Sequence, residues 1–455
     1  MLVCLGILFL LGGRKMLAQV FEDFSDSIQI DNIEDINKKF ISITKRLNIS
    51  YWEIDSETDH SHKVGSLGRH TAIKGVSDLD MLFVLPANLY MKYDNYQGNG
   101  QSALLQSVKA EIKKKYPNTI VRGNGQVVVV TFSNYEVEIC PVFEKGDGSY
   151  TYPDSNNGGK WRRTDPMPEI GESEYMVEHT TGNFKFVCQM VRAWKNHIGF
   201  KIGGLLIDTL VHKFFNKYPS YPSATFNNYL SLFKDLFSYL KGLNKEQKYW
   251  NALGSNQQVY NKDGIFVEKA ESAYDKLKDF DEGDEGLYEV LQSLFGKNLP
   301  IPEILQKSAD SRYFTTTSSD KQQFIEELFA VDIKYSLKID CEVKQNGFRE
   351  TLLRTLLKKR SPLLINKELT FFIAKNEFEE KELHYEIYWK VRNRGSEAIK
   401  RNILRGEILK GNETKIERTS FKGGHFVECY IIYNGVCVAR DSIDVPIAME
   451  AYISR

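Results

Sequence analysis

The chain has 455 residues, enough for about three domains of ordinary size. Hydrophobic residues at 42% against charged residues at 26% give the balance of a soluble globular chain rather than a disordered one. Lys+Arg (60) equals Asp+Glu (60), so the basic excess that coats long nucleic acid is missing and no long duplex partner is expected.

Residues 2–12 are strongly apolar, yet too few for a membrane span of about 20 residues. Arg14 and Lys15 follow this run, whereas a secretory signal places its positive charge first. Met16 comes directly after, so two readings stay open for residues 1–15: a start assigned too early, or a weak membrane-surface anchor. Neither is a stable span. Cys4, Cys140, Cys188, Cys341, Cys429 and Cys437 form no CxxC pair and no zinc-like group with histidine, which suits a reducing, cytoplasmic compartment.

From Glu34 to Leu47, Ile36, Phe40, Ile43 and Leu47 recur at helical spacing. A turn-rich stretch from Asp55 to Lys63 carries His60 and His62, which read as a surface loop because no third ligand stands near. Leu79 to Leu85 is a nearly continuous apolar run, as in a strand buried on both faces. Residues 101–115 read as an amphipathic helix. Val127–Phe132 and Tyr135–Phe143, joined by Ser133-Asn134, read as an antiparallel hairpin beside that strand. Between Gly146 and Gly171 the composition predicts a long functional loop, in which Trp161 either stacks on a purine or pins the loop. Asn183 to about Phe295 reads as helical. Pro300, Pro302 and the polar run Ser308–Asp320 mark a linker. After a short helix near Phe324, strands follow at Leu369–Ile373, His384–Val391, Phe426–Tyr433 and Val436–Val445, with Asn434-Gly435 a hairpin turn. Gly395, Gly423 and Gly424 are assigned to turns.

The chemistry concentrates near residue 80. Asp78 and Asp80 stand two apart at the mouth of the apolar strand, so both carboxylates project from one side. Gly65 and Ser66 precede them in a loop that opens a helix, where backbone can approach a phosphate. Glu138 lies in the second strand of the hairpin. Three carboxylates at about 4 Å would cost on the order of 4 kcal/mol per pair at an effective dielectric of 20. A divalent cation removes that cost, and hard oxygen ligands with a triphosphate select Mg²⁺. Asp-x-Asp by itself also fits a solvated strand entrance. The order Gly-Ser, Asp-x-Asp, then an acid followed by Cys140-Pro141 favours the metal site. On the helix from Asn183 to Gly199, Lys185, Arg192 and Lys195 fall within roughly a quarter of the circumference. Lys185 reads as solvated; Lys195, with Arg192, reads as a triphosphate contact.

The segment VGSLGRHTAIKGVSDLDMLFVLP (Val64–Pro86) resembles the active-site region of the bacterial nucleotidyltransferases related to cyclic GMP-AMP synthase and oligoadenylate synthase. EICPVF (Glu138–Phe143) is similar to their strand bearing the third metal carboxylate, and Tyr152–Pro166 to the loop that follows it. Ile387–Ile408 and Gly423–Ile447 resemble the sensor domain appended to some of these synthases. Leu67 stands where the common motif has Tyr, Glu138 where Asp is usual, and Gly203 and Gly204 where a hydroxyl residue is expected near the triphosphate.

The resemblance implies an α+β protein: a polymerase-β-like head (16–180), a helical nucleotide-binding body (181–307), a linker (308–321) and a β-rich sensor-like domain (322–455). It further implies a cytoplasmic, anti-phage synthase of a cyclic di- or trinucleotide. Its substrates would be ATP and, as a second candidate, GTP; its metals two Mg²⁺ ions, or Mn²⁺ in their place. The diffusible product would reach a separate effector. A terminal transferase acting on RNA, and a ligand-sensing module with an inactive head, stay open as rivals.

Overall fold

The computed structural model describes residues 16–75, 78–261, 263–302, 322–344, 350–361, 363–393, 396–401 and 404–447. The apolar start, the Ser308–Asp320 linker and Gly395 lie outside them. The chain divides into two units. The first runs to Trp194 and resumes over Ile202–Leu299; the second holds Lys195–Lys201 and everything from Pro300.

In the first unit, helix α1 (16–27) precedes α2 (Ile33–Tyr51), which buries Ile36, Ile43 and Leu47 as one stripe. Beside α2 lies a sheet in the order β1 (Ser61–Lys63), β2 (Asp78–Val84), β5 (Glu136–Glu144), β4 (Val127–Thr131), β3 (Ile120–Asn124). The expected hairpin is β4–β5, and β5 runs parallel to β2. Leu79, Met81 and Phe83 of β2 enter a core shared with α2 and with α5 (Gly100–Lys115), which follows α4 (Asn88–Asp94). Leu82 and Val84 join Val142 and Tyr150 in a second cluster. Alternation therefore puts apolar residues on both sides of β2 late in the strand, and leaves its first outward positions for Asp78 and Asp80.

The region read as a long loop is instead a hairpin, β6 (Tyr150–Asp154) with β7 (Lys160–Thr164), followed by α6 (Met167–His179). Its turn uses left-handed backbone at Asn157 (φ 53°), Gly158 (89°) and Gly159 (92°). These turn residues dominate the composition and hide two five-residue strands. Trp161 packs on Tyr90 and Phe143, with ring centroids 5.0 and 5.7 Å away, and its indole N–H donates to Asp94 at 2.9 Å. It pins the hairpin.

The helical body comprises α7 (Asn183–Ile198), α8 (Gly204–Lys217), α9 (Tyr229–Lys241), α10 (Ile265–Leu277) and α11 (Leu287–Phe295). A short hairpin, β8 (Tyr249–Asn251) with β9 (Gln258–Tyr260), interrupts what the sequence reading took as continuous helix. Phe21 of α1 lies 5.6 Å from Tyr229 and 6.0 Å from Phe233, and Phe24 lies 5.3 Å from Phe295. The first helix thus packs on the body, although the sequence reading grouped it with the head.

The second unit is built on two sheets. One has the order β10 (Ala330–Val331), β18 (Val436–Ile447), β17 (Gly423–Tyr433), β14 (Glu386–Asn393), β15 (Ile408–Gly411). The other has the order β12 (Thr351–Leu352), β11 (Leu337–Lys344), β13 (Glu368–Asn376), β16 (Thr414–Arg418). Ile339 and Phe371 from one sheet share a core with Trp389, Cys429 and Ile431 from the other. Asn434 (φ 48°) and Gly435 (75°) make the expected turn between β17 and β18. Gly423 and Gly424 do not sit in a turn: they open β17, opposite Ile447 and Pro446.

Candidate active site

The parallel register of β2 on β5 sets Asp78 opposite Glu136 and Asp80 opposite Glu138. Side chains two apart share a face, so four acids are presented together. Arg122 removes one of them. Its Nη2 donates to both oxygens of Glu136 at 2.8 and 3.0 Å, and Thr131 adds a hydroxyl donor at 2.8 Å. The remaining three, Asp78, Asp80 and Glu138, each bring a carboxylate oxygen within 4.8 Å of the others. All three are half-buried. An all-oxygen donor set of this spacing fits a hard divalent cation. Further along the same strand, burial, reinforced by the negative charge of Glu138 and Asp80, pushes the Cys140 thiol up to about 12.

Gly65 belongs to this cluster by contact. The backbone N–H of Val64 donates to the Asp80 carbonyl at 2.9 Å. Gly65 follows at φ +64°, and a Cβ added there would lie 1.9 Å from Oδ2 of Asp80. Both facts require glycine. Ser66 continues into the short helix α3 (Gly65–Gly68), and its carbonyl accepts from the N–H groups of Thr71 (2.9 Å) and Ala72 (3.1 Å). Leu67 packs against the sheet core.

Beneath this segment lies a residue that sequence reasoning missed. Asp208 of α8 is fully buried and accepts from Arg69 Nε (2.9 Å), Arg192 Nη1 (2.6 Å), Arg192 Nη2 (2.9 Å) and Thr71 Oγ1 (3.0 Å). Burial pushes its carboxyl up, but Arg192 and Arg69 together outweigh that and hold it down at about 2. Its one signal is an acid inside the apolar run LLIDTLV (Leu205–Val211), which demands a buried partner but does not say which. Arg192, expected on the nucleotide, is therefore engaged by Asp208 and by the Gly204 carbonyl at 3.1 Å. At Gly204 a Cβ would come within 3.2 Å of that guanidinium.

Lys195 belongs to the second unit, where it is buried and its ammonium lies 3.5 Å from Asp332. His60 pairs with Asn48 Oδ1 at 2.8 Å and stacks on Trp52; His62 lies 3.5 Å from the Tyr150 hydroxyl. Neither joins a metal-ligand cluster. Among the described residues, the three carboxylates form the one such group. Among the described residues, Cys140, Cys188, Cys341, Cys429 and Cys437 are free thiols.

Residues 16–175 match the Second Messenger Oligonucleotide or Dinucleotide Synthetase domain, and residues 319–448 match the Adenylyl/Guanylyl and SMODS C-terminal sensor domain. No curated protein matches. Among solved structures, the chain is similar to Escherichia coli MS115-1 CdnC with ATP, at 16% identity, covering 62% of this chain and 98% of that one (TM-score 0.47). It is also similar to Bradyrhizobium diazoefficiens CdnG in complex with GTP, at 10% identity over 62% and 96% (TM-score 0.45). A third is the Vibrio cholerae cyclic AMP-GMP synthase DncV with a linear intermediate, at 13% identity over 64% and 89% (TM-score 0.44).

Proposed function

The chain belongs to the second-messenger oligonucleotide or dinucleotide synthetases that carry this C-terminal sensor domain, and we propose that it makes a cyclic di- or trinucleotide from ATP, with GTP as a second substrate. The convergence of Asp78, Asp80 and Glu138 within 4.8 Å carries the reading. These carboxylates would hold two Mg²⁺ ions, or Mn²⁺. When bound, such ions neutralise the triphosphate and lower the pKa of the attacking hydroxyl. Gly65, with no Cβ, keeps the Asp80 carboxylate clear, and the backbone of Gly65 and Ser66 is the proposed rest for the donor triphosphate. Asp208 fixes Arg69 and Thr71, and through them the end of that segment. An acceptor ribose hydroxyl attacks the α-phosphorus in line and pyrophosphate leaves. The linear intermediate then turns over in the same site, and a second attack closes the ring.

The messenger would act on a separate effector in the cytoplasm as an anti-phage signal. No helix among the described residues is long and apolar enough to cross a membrane. The test is to incubate the protein and Mg²⁺ with labelled ATP, GTP or both, with and without RNA, then add phosphatase. A phosphatase-resistant product whose mass is that of a ring is expected. Label that appears only with RNA, in a product of RNA length rather than of ring mass, would instead make the protein a terminal transferase.

A further inference from the structure

Between the two sheets of the second unit lies a cleft of about 280 Å³. In one wall, Asn393 of β14, His425 of β17 and Val445 of β18 stand side by side across three strands, with Val391 opposite Val427 two positions on. The period of two places His425 and Val427 on one face. Leu369 and Phe371 of β13 line the facing wall. The lining between the sheets is mostly apolar, with the polar side chains of Asn393 and His425 in one wall.

His425 is unusual in its bonding. It is 7% exposed. Its Nδ1 lies 3.0 Å from the Asn393 Oδ1, an oxygen that can only accept, so Nδ1 carries the proton. Nε2 is left as an acceptor, and it finds no partner among the described residues. Burial, against a smaller pull from the Phe421 backbone, holds the ring below the ordinary histidine range and so neutral. Buried acceptors without donors are rare in folded proteins, and a ligand that donates would satisfy this one.

The rim restricts the ligand's charge. Arg405 is neutralised by two hydrogen bonds to Glu417, at 2.7 and 3.0 Å, and Arg418 lies 3.6 Å from Glu368. The charged side chains at the mouth, Arg405, Arg418 and Glu417, each already face an opposite charge. Phe421 meets the imidazole edge-on at 4.8 Å, so the inner end is aromatic. A volume of 280 Å³ lies just under the usual range of ligand pockets, about 300–1,000 Å³. One or two fused rings fit that space better than a phosphorylated nucleotide does.

We propose that this cleft binds a small, uncharged aromatic molecule that donates a single N–H or O–H hydrogen bond to Nε2 of His425. The probes are indole and benzothiophene, its isostere in which sulfur replaces the N–H, titrated into the full chain and followed by ligand-observed NMR. Indole is expected to bind saturably and more tightly than benzothiophene by about three- to tenfold, the worth of one hydrogen bond. His425→Phe should abolish that preference while keeping both ligands. Val391→Phe, filling the cleft from a half-buried wall, should abolish binding of both while the melting temperature stays within a few degrees. Equal affinity of the two probes for the wild-type chain, no saturable binding of either, or a preference that survives His425→Phe each overturns the proposal. Undiminished binding to folded Val391→Phe does so too.

Discussion

The segment from Gly65 to Thr71 touches two acidic places that solve the problem of buried charge in opposite ways. At Gly65, three carboxylates gather within 4.8 Å. At Arg69 and Thr71, a single carboxylate, Asp208, lies between two guanidiniums. In the second arrangement both oxygens of the acid are met by donors, three at Oδ2 and one at Oδ1. The first brings three like charges close together, a cost that a bound cation would offset. One place stabilises the fold, and the other is the proposed seat of a cation.

The sharpest way to separate them is Asp80→Asn. Pyrophosphate release should fall by about a thousandfold, as when one preorganised group in an active site is lost. The melting temperature should hold or rise, because a like charge has gone. Wild-type turnover in this variant would end the site assignment. Asp208→Leu should do the reverse, lowering stability in urea by about 3 kcal/mol because the buried Arg192 loses its carboxylate and Arg69 is left with Glu169, 3.9 Å away. A loss under about 1 kcal/mol would show those arginines reaching water, and the contrast would fail.

Metal tests the same contrast more gently. Mg²⁺ at a hundred times its dissociation constant should stabilise the wild-type chain by about 2.7 kcal/mol. It should do nothing comparable for Asp80→Asn, as read from calorimetric melting with and without EDTA. The smallest effect concerns acid. The Asp208 carboxyl drops from 3.8 to about 2 on folding. Its stabilisation is therefore complete above about pH 5 and disappears as pH falls towards 2, amounting to about 2 kcal/mol. Asp208→Asn should flatten the stability profile in that window alone; an unchanged slope would mean other carboxylates govern it.

The three metal-type acids were legible because the chemistry dictates local order: a glycine loop, alternate acids at a strand mouth, and an acid two residues before Cys140-Pro141. Even so, the sequence does not distinguish Glu138 from Glu136. Both point the same way, and only Arg122, from a strand not adjacent to β5, removes the second. Asp208 and Arg192 escaped for the same reason. They read as an isolated acid and as a basic stripe until folding joins them, 16 residues apart in sequence, in one ion pair. The β6–β7 hairpin was hidden by Asn157, Gly158 and Gly159, whose left-handed backbone is a property of the turn and not of the strands it joins. Helices and longer strands were readable because their periodicity is repeated over many residues.

The pairing of Asp80 with Glu138 across two parallel strands has a practical corollary. Sliding β5 by a single position would deliver Val137 or Ile139 in place of the acid and turn the carboxylate into the apolar interior. Catalysis is thus confined to molecules whose central strands have joined in the correct frame. In a partly refolded sample, specific turnover would serve as a direct assay of how many chains have achieved it.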